Sequence, residues 1–173
     1  MSRPARYLLD ADTFIRSKRQ HYAFDICPGF WASLLFSHQQ GRLISIHPVR
    51  DELLRGGDDL TEWCRAGVPE SFFEPAQYPD VQRAYAQVIA WADAHGQYTR
   101  AAKQEFASVA DPWLVAFASA SGCELVTYEV AAPMSRASIK LPDAAAAFEV
   151  TCLPPYEMLR RLGVRFLLEG TGG

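Results

Sequence analysis

The chain has 173 residues, a formal net charge of −3, 49% hydrophobic and 21% charged residues. This length and balance are typical of one globular domain that buries a core, and they exclude a disordered or fibrous chain. The slightly acidic charge excludes a general polyanion binder, so a nucleic-acid contact would depend on local basic patches.

Targeting and membrane signals are not evident in the sequence. The N-terminus lacks the pattern of a signal peptide, and no apolar run approaches the roughly 20 residues that span a bilayer. The four cysteines form no C-x-x-C pair and the four histidines show no zinc-like spacing. We therefore expect a cytoplasmic protein with buried free thiols, no zinc site and no membrane segment.

The first half of the chain begins with a short strand, Leu8–Leu9, which stops at Asp10. A helix is predicted from Pro28 to Gln40, a second strand from Arg42 to His47, a helix opening at Pro48, and another helix from Leu60 to Arg65. The stretch VPESFFEPAQYPD (68–80) contains three prolines and is predicted to be a loop.

The second half continues the alternation of helices and strands. Helices are predicted over Asp80–His95 and Tyr98–Ala107, and at Asp111, which fits the N-cap position with Pro112 as the first helical residue. A strand (Cys123–Glu129), a short helix after Asp143, a strand (Glu149–Leu153) and a final helix follow. This order predicts an α/β fold in which helices flank a central parallel sheet of about five strands.

Four acidic residues fall next to the predicted strands. Asp10 ends the first strand, Glu52 lies in the helix after the second, Asp111 begins a helix that leads to the third, and Glu129 ends that strand. Parallel strands would gather these acids at one edge of the sheet, where ligands bind. Carboxylates so close repel one another, and Mg²⁺ or Mn²⁺ would relieve that repulsion.

Each acid also has a plainer interpretation. Asp111 alone is more readily an N-cap, Glu52 a solvated helix residue, and Glu129 an edge charge. Asp10, which closes an apolar strand, is the one that indicates a function even in isolation.

Four strings in order, YLLDADTFI, VRDELLRG, ADPWLVAFA and ELVTYE, resemble the motifs of PIN-domain ribonucleases. The strings ICPGFW and DPWLVA bring the resemblance closer to the bacterial, VapC-like branch that contains toxins of toxin–antitoxin pairs. It covers about Tyr7 to Leu153. The whole chain, 1–173, would then be a single PIN-like nuclease domain, with a core of about 6–153 and a C-terminal helix and tail over 154–173.

The resemblance implies a metal-dependent endoribonuclease. Asp10, Glu52, Asp111 and Glu129 match the acidic positions that hold the divalent metal, Mg²⁺ or Mn²⁺. Asp12 and Thr127 match polar positions near the metal, and Asp143 is an auxiliary candidate for which an N-cap role is equally open. Glu129 departs from the family, in which Asp is commoner at that position. The implied partners are single-stranded or structured RNA, a cognate antitoxin and a second copy of the chain as a homodimer.

Basic residues near these acids are candidates for holding the RNA backbone, namely Arg16, Lys18, Arg19 and Lys140. Contacts of this kind position a phosphate and carry no sequence information. A solvated charged surface is an equally good interpretation of any one of them.

Two other functions remain open. Asp10-Ala11-Asp12-Thr13 also fits the first motif of haloacid-dehalogenase-type phosphatases, with Asp10 as nucleophile and Asp12 as general acid. That chemistry needs an acidic pair after a later strand, and the strand ELVTY is followed by the single acid Glu129. The third hypothesis is a non-catalytic PIN-like module that acts by binding a partner.

Overall fold

The computed structural model describes residues 4–168 and 170. Its strands form a five-stranded sheet in the order β3-β2-β1-β4-β5, and every neighbouring pair is parallel. The strands are β1 (Tyr7–Leu9), β2 (Leu43–Ile46), β3 (Phe73–Glu74), β4 (Glu124–Val126) and β5 (Cys152–Leu153). The predicted α/β fold with a central parallel sheet is confirmed.

Strand β1 lies in the middle of the sheet, where Tyr7 is opposite Leu43 on one side and Glu124 on the other. All residues of β1 and β2 are buried. Strands that are covered on both faces have near-continuous apolar sequences, because helices pack on each side of a parallel sheet. This explains why Tyr7-Leu8-Leu9 shows no alternation of polar and apolar residues.

The helices that surround the sheet follow the predicted order. They are α1 (Ala11–Arg16), α2 (Pro28–Gln39), α3 (His47–Leu53), α4 (Asp59–Glu62), α5 (Pro79–Ala94), α6 (Arg100–Ser108), α7 (Asp111–Ser121), α8 (Leu141–Ala147) and α9 (Pro155–Arg161). Short π-helical turns extend α1 (Ser17–His21) and α4 (Trp63–Gly67), and a 3₁₀ turn covers Glu70–Phe72.

The predicted loop at 68–80 is wrong in part, because it contains the edge strand β3. Phe72 and Phe73 are buried in the main core, and the backbone at Phe73 and Glu74 pairs with Ser45 and Ile46 of β2. Burial of two adjacent phenylalanines outweighs the turn-forming character of the flanking prolines, which confine the strand to two residues.

The strands β4 and β5 are shorter than predicted. The chain leaves the sheet after Val126, so Glu129 lies beyond the strand rather than at its end. Glu149 has a φ of 56°, in the left-handed region, so the chain turns there and β5 begins only at Cys152.

Two predicted helix caps are also wrong. Ala110 is the N-cap of α7, and Asp111 is its first helical residue with Pro112 second. Lys140 is the N-cap of α8, so Asp143 lies inside the first turn of that helix. In both cases the helix begins earlier than the Asp-Pro or Pro-Asp pattern suggests, since proline is accepted anywhere in the first turn.

The cysteines are free thiols, as predicted. Cys64 and Cys123 are buried, whereas Cys27 and Cys152 are half-buried. Across residues 4–168 and 170, no helix is both long and apolar enough to cross a bilayer.

Candidate active site

Asp10 lies immediately after β1 and is 3% exposed. Its carboxylate caps α1 by accepting a hydrogen bond of 2.7 Å from the Thr13 backbone N–H. Thr13 in turn donates its hydroxyl to the carbonyl oxygen of Val126 at 2.9 Å, which fixes the turn between β1 and α1 against β4. Burial raises the pKa of Asp10 to about 7, although hydrogen bonds from Thr127 and Thr13 oppose that shift.

Glu52 and Asp111 approach the same place from α3 and α7. The Oε1 atom of Glu52 accepts a 2.7 Å hydrogen bond from the backbone N–H of Ala110, the N-cap of α7. Glu52 therefore occupies the N-terminus of α7, beside Asp111. Burial raises the pKa of Asp111 well above its usual range, and the charges of Asp10, Glu129 and Glu52 raise it further.

Glu129 is held in place by the loop that follows β4. Its backbone N–H donates to the Thr127 hydroxyl at 3.0 Å, and its Oε2 atom accepts from the backbone N–H of Leu141 at 2.8 Å. The Lys140 ammonium lies 3.7 Å from Oε1 of the same carboxylate. The backbone of Glu129 is thus fixed by the 127–129 turn, and its carboxylate by the start of α8.

The carboxylates meet in one cleft of about 290 Å³ at the carboxyl edge of the sheet. Its charged walls are Asp10, Asp12, Glu52, Glu105, Asp111, Glu129 and Lys140. The four acids predicted as metal ligands therefore share this cleft, although they come from four separate segments of the chain.

The auxiliary residues occupy different places. Asp12, in the first turn of α1, lines the cleft, and its pKa is raised by burial. Thr127 contributes a hydrogen bond to Asp10. Asp143 is not among the residues that line the cleft, and its carboxylate instead accepts a 2.9 Å hydrogen bond from the backbone N–H of Ala132.

Glu105 is a cleft residue that the sequence analysis did not identify. It lies on α6 next to Phe106, which is buried. Its position beside the apolar face of an amphipathic helix was the available signal, but this position is shared by many solvated acids. Only the packing of α6 against α7 brings it to the site.

The four basic candidates separate into two groups. Lys140 lines the cleft, and Arg16 lines a depression that adjoins it. Lys18 is instead paired with Asp58 at 2.8 Å and Asp59 at 2.6 Å. Arg19 is exposed on the π-helical turn after α1.

The donor set in the cleft suits a hard divalent cation, because it consists of carboxylate oxygens without a soft ligand. Asp10 and Asp111 also carry raised pKa values, which a bound cation would lower. Within the described residues, no three His, Cys, Asp or Glu side chains are grouped closely enough to hold a metal as they stand. Metal binding would therefore require local adjustment of side chains, and Glu52 and Glu129 each keep one oxygen that is not bonded to a backbone N–H.

The model of one protein family, described as domain of unknown function DUF4411, matches residues 7–166. This match covers most of the chain, including all the acids of the cleft. The chain belongs to the DUF4411 family. No curated protein matches this DUF4411 chain.

Among solved structures, the DUF4411 chain is similar to FitAcB from Neisseria gonorrhoeae. The two are 17% identical, the TM-score is 0.55, and the match covers 87% of this chain and 98% of the other. At this identity the likeness shows the fold alone. Together with the five-stranded parallel sheet, it confirms the PIN-like fold.

Proposed function

We propose that this protein is a divalent-metal-dependent endoribonuclease. The observation that carries the proposal is the convergence of Asp10, Glu52, Asp111 and Glu129 on one cleft at the carboxyl edge of the sheet. The acids come from the β1–α1 turn, α3, the start of α7 and the loop after β4. Ligand sites of parallel α/β sheets lie at this edge.

The acids would hold Mg²⁺ or Mn²⁺ through their free oxygens. The metal would supply an activated water and charge stabilisation for phosphodiester hydrolysis. The chain itself orients the ligands: Thr13 fixes Asp10, the N-terminus of α7 fixes Glu52, and Leu141 fixes Glu129. Lys140, at the wall of the cleft, would contact a phosphate of the bound RNA.

The test is cleavage of single-stranded RNA by purified protein. Chelation should abolish cleavage, addition of Mn²⁺ or Mg²⁺ should restore it, and Asp10→Asn should be inactive with either metal. Cleavage that persists with chelator in a metal-free preparation would contradict the proposal. Absence of both cleavage and Mn²⁺ binding by calorimetry would favour the non-catalytic binding module.

The phosphatase hypothesis is disfavoured because no pair of adjacent acids lines the cleft together. Asp58 and Asp59 are paired with Lys18 and do not line the cleft, and of the other adjacent acids, Asp51 and Glu52, only Glu52 lines it. Asp12→Asn distinguishes the two chemistries, because general acid–base catalysis contributes about 10²–10⁴-fold. We expect Asp12→Asn to keep RNA cleavage within roughly 10-fold and the wild type to show negligible turnover of a phosphomonoester. Monoester hydrolysis that is lost in both Asp10→Asn and Asp12→Asn would establish the phosphatase instead.

We further propose that the nuclease is the toxin of a toxin–antitoxin pair. The four acidic motifs resemble, in the same order, those of the PIN-like branch that contains toxins of toxin–antitoxin pairs. The PIN-like fold shared with FitAcB also supports this proposal. Induced expression should arrest bacterial growth and degrade cellular RNA, whereas Asp10→Asn expressed to the same level should do neither. Growth that is unaffected by active, RNA-cleaving protein would contradict the toxin role but not the nuclease function.

A further inference from the structure

A second, more apolar hollow opens beside the acidic cleft. Its walls include His21, Tyr128, Val130, Pro142, Pro154 and Tyr156, and its volume is about 600 Å³. Val130 is 79% exposed and Tyr156 is 57% exposed, so the hollow presents large apolar surfaces to solvent. Glu129 lines both the hollow and the acidic cleft, which therefore adjoin one another.

One wall of the hollow is a fixed aromatic stack. The rings of His21 and Tyr128 lie 4.8 Å apart with an angle of 24° between their planes. The Tyr128 hydroxyl is within hydrogen-bond distance, 3.0 Å, of the buried Ser17 hydroxyl. Arg16 lies 5.7 Å from the centre of the Tyr128 ring and donates to the Tyr128 carbonyl oxygen at 3.4 Å. These contacts hold the tyrosine in place, whereas His21 remains exposed.

Two cationic side chains lie where the hollow meets the cleft. A shallow depression lined by Asp12, Arg16, Tyr128, Glu129, Val130 and Lys140 shares residues with both. Arg16 is 3.6 Å from Asp12, and Lys140 is 3.7 Å from Glu129. These long, partly exposed contacts leave both cations able to bind another anion. Carboxylates, cations and aromatic rings therefore follow one another along a continuous surface.

We propose that the apolar hollow binds an unpaired nucleobase of the RNA strand whose phosphodiester lies in the acidic cleft. This inference rests on the proposed nuclease function. The base would pack against the His21–Tyr128 stack and Tyr156, and Arg16 and Lys140 would contact the phosphate between base and cleft. Aromatic side chains bind bases of single strands in this way, whereas bases inside a duplex are already stacked on one another. The hollow would thus select single-stranded RNA over duplex RNA.

The test uses binding rather than cleavage. Short single-stranded RNA oligonucleotides, each with one abasic position, are titrated by fluorescence anisotropy against the Asp10→Asn protein, which should not cut them. One abasic position should weaken binding by roughly 10-fold or more, because a base stacked on an aromatic side chain contributes strongly to affinity. The same penalty should disappear when Tyr128→Ala is added, since the abasic RNA and the variant remove the same contact.

Two further variants make the result decisive. His21 is exposed, so His21→Ala should fold, and it should reduce the abasic penalty. It therefore tests the inference if Tyr128→Ala does not fold. Phe36→Ala is the matched control, because Phe36 is a 63% exposed aromatic residue on α2 that does not line the hollow. It should keep the full penalty.

The inference is overturned if no abasic position weakens binding, or if the penalty is unchanged in His21→Ala and in folded Tyr128→Ala. Binding of a protein segment in the hollow would be consistent with that outcome. Cleavage by the wild type with Mn²⁺ is measured in parallel. An abasic penalty without cleavage would support the base site and contradict the nuclease function. Cleavage without an abasic penalty would support the nuclease function and contradict the base site.

Discussion

At the scale of single residues, the acids show what the sequence could predict. The sequence predicts one shared site for four acids that lie beside strands, and all four line one cleft in the structure: Asp10, Glu52, Asp111 and Glu129. Their bonding was not predictable, because it depends on distant partners such as Ala110, which Glu52 contacts across 58 positions of sequence. The same limit explains Glu105, which only tertiary packing brings to the cleft.

Asp111 is expected to be needed for activity and unfavourable for stability without metal. Asp111→Asn removes a buried acid whose charged form is disfavoured by burial and by Asp10, Glu129 and Glu52, so at neutral pH the metal-free variant should unfold at a higher urea concentration than the wild type. It should also lose at least 100-fold in RNA cleavage, beyond the roughly 10–100-fold typical of outer-shell changes at metal sites. Since Ala110 is the N-cap, Asp111→Ala should show no cap loss relative to Asp111→Asn. Full activity of Asp111→Asn would show that Asp111 is not a metal ligand.

Lys140 and Lys18 differ in surroundings, and RNA binding should distinguish them. Lys140 lines the cleft, whereas Lys18 is occupied by Asp58 and Asp59. Lys140→Ala should weaken RNA binding and reduce the slope of log K against log salt by about one, as expected for one lost phosphate contact. Lys18→Ala should leave both quantities unchanged. An equal loss in the two variants would mean that Lys18 leaves its ion pairs to contact RNA.

At the scale of elements, the long periodic helices were predictable and the short strands were not. The helix α5 has a regular apolar face, and its predicted bounds differ from the observed Pro79–Ala94 by one residue at each end. The strand β3 has two residues, too few to show any period, and it exists because β2 offers its edge to Phe73 and Glu74. The predicted first residues of helices in proline-containing segments differ from the observed ones, because proline fits several positions of the first turn.

The start of α4 provides a prediction about a single element. Asp58 caps this helix by accepting from the Thr61 backbone N–H at 3.1 Å and also binds Lys18. Asp58→Ala should lower the free energy of unfolding by about 1 kcal/mol, mainly through the lost cap. Asp58→Asn should retain most of that free energy, because Asn caps a helix about as well as Asp. Urea denaturation of both variants is the measurement, and equal losses would assign the effect to the ion pair with Lys18.

At the scale of the whole molecule, the buried acids make stability depend on pH. Burial raises the pKa of Asp10 from its ordinary value of 3.8 to about 7 in the fold, so the folded state keeps a proton that the unfolded state releases. The stabilisation is complete below about pH 4 and is lost as the pH rises through about 7. For Asp10 alone the loss is at most about 4 kcal/mol, from 1.36 kcal/mol per pKa unit.

The measurement is urea denaturation of chelated protein between pH 4 and pH 8. The free energy of unfolding should fall across this range in the wild type and fall less in Asp10→Asn, which has no proton to lose at that position. Saturating Mn²⁺ should restore stability most strongly at the high end, because ligand that binds only the folded state stabilises it. A stability that rises with pH in the chelated wild type would contradict the burial of Asp10 as a protonated acid.

The central place of β1 has a consequence for biosynthesis. This strand precedes both of its neighbours in the chain, and the residues paired with Tyr7 on either side, Leu43 and Glu124, are far apart in the sequence. A nascent chain that lacks α7 and β4 has Asp10 and Glu52 but neither Asp111 nor Glu129. We therefore expect the cleft to form only after the chain through Glu129 has left the ribosome, which limited proteolysis of nascent chains arrested before and after this point would check. If the proposed nuclease function holds, this order of assembly would keep the incomplete chain from cleaving the messenger RNA that encodes it.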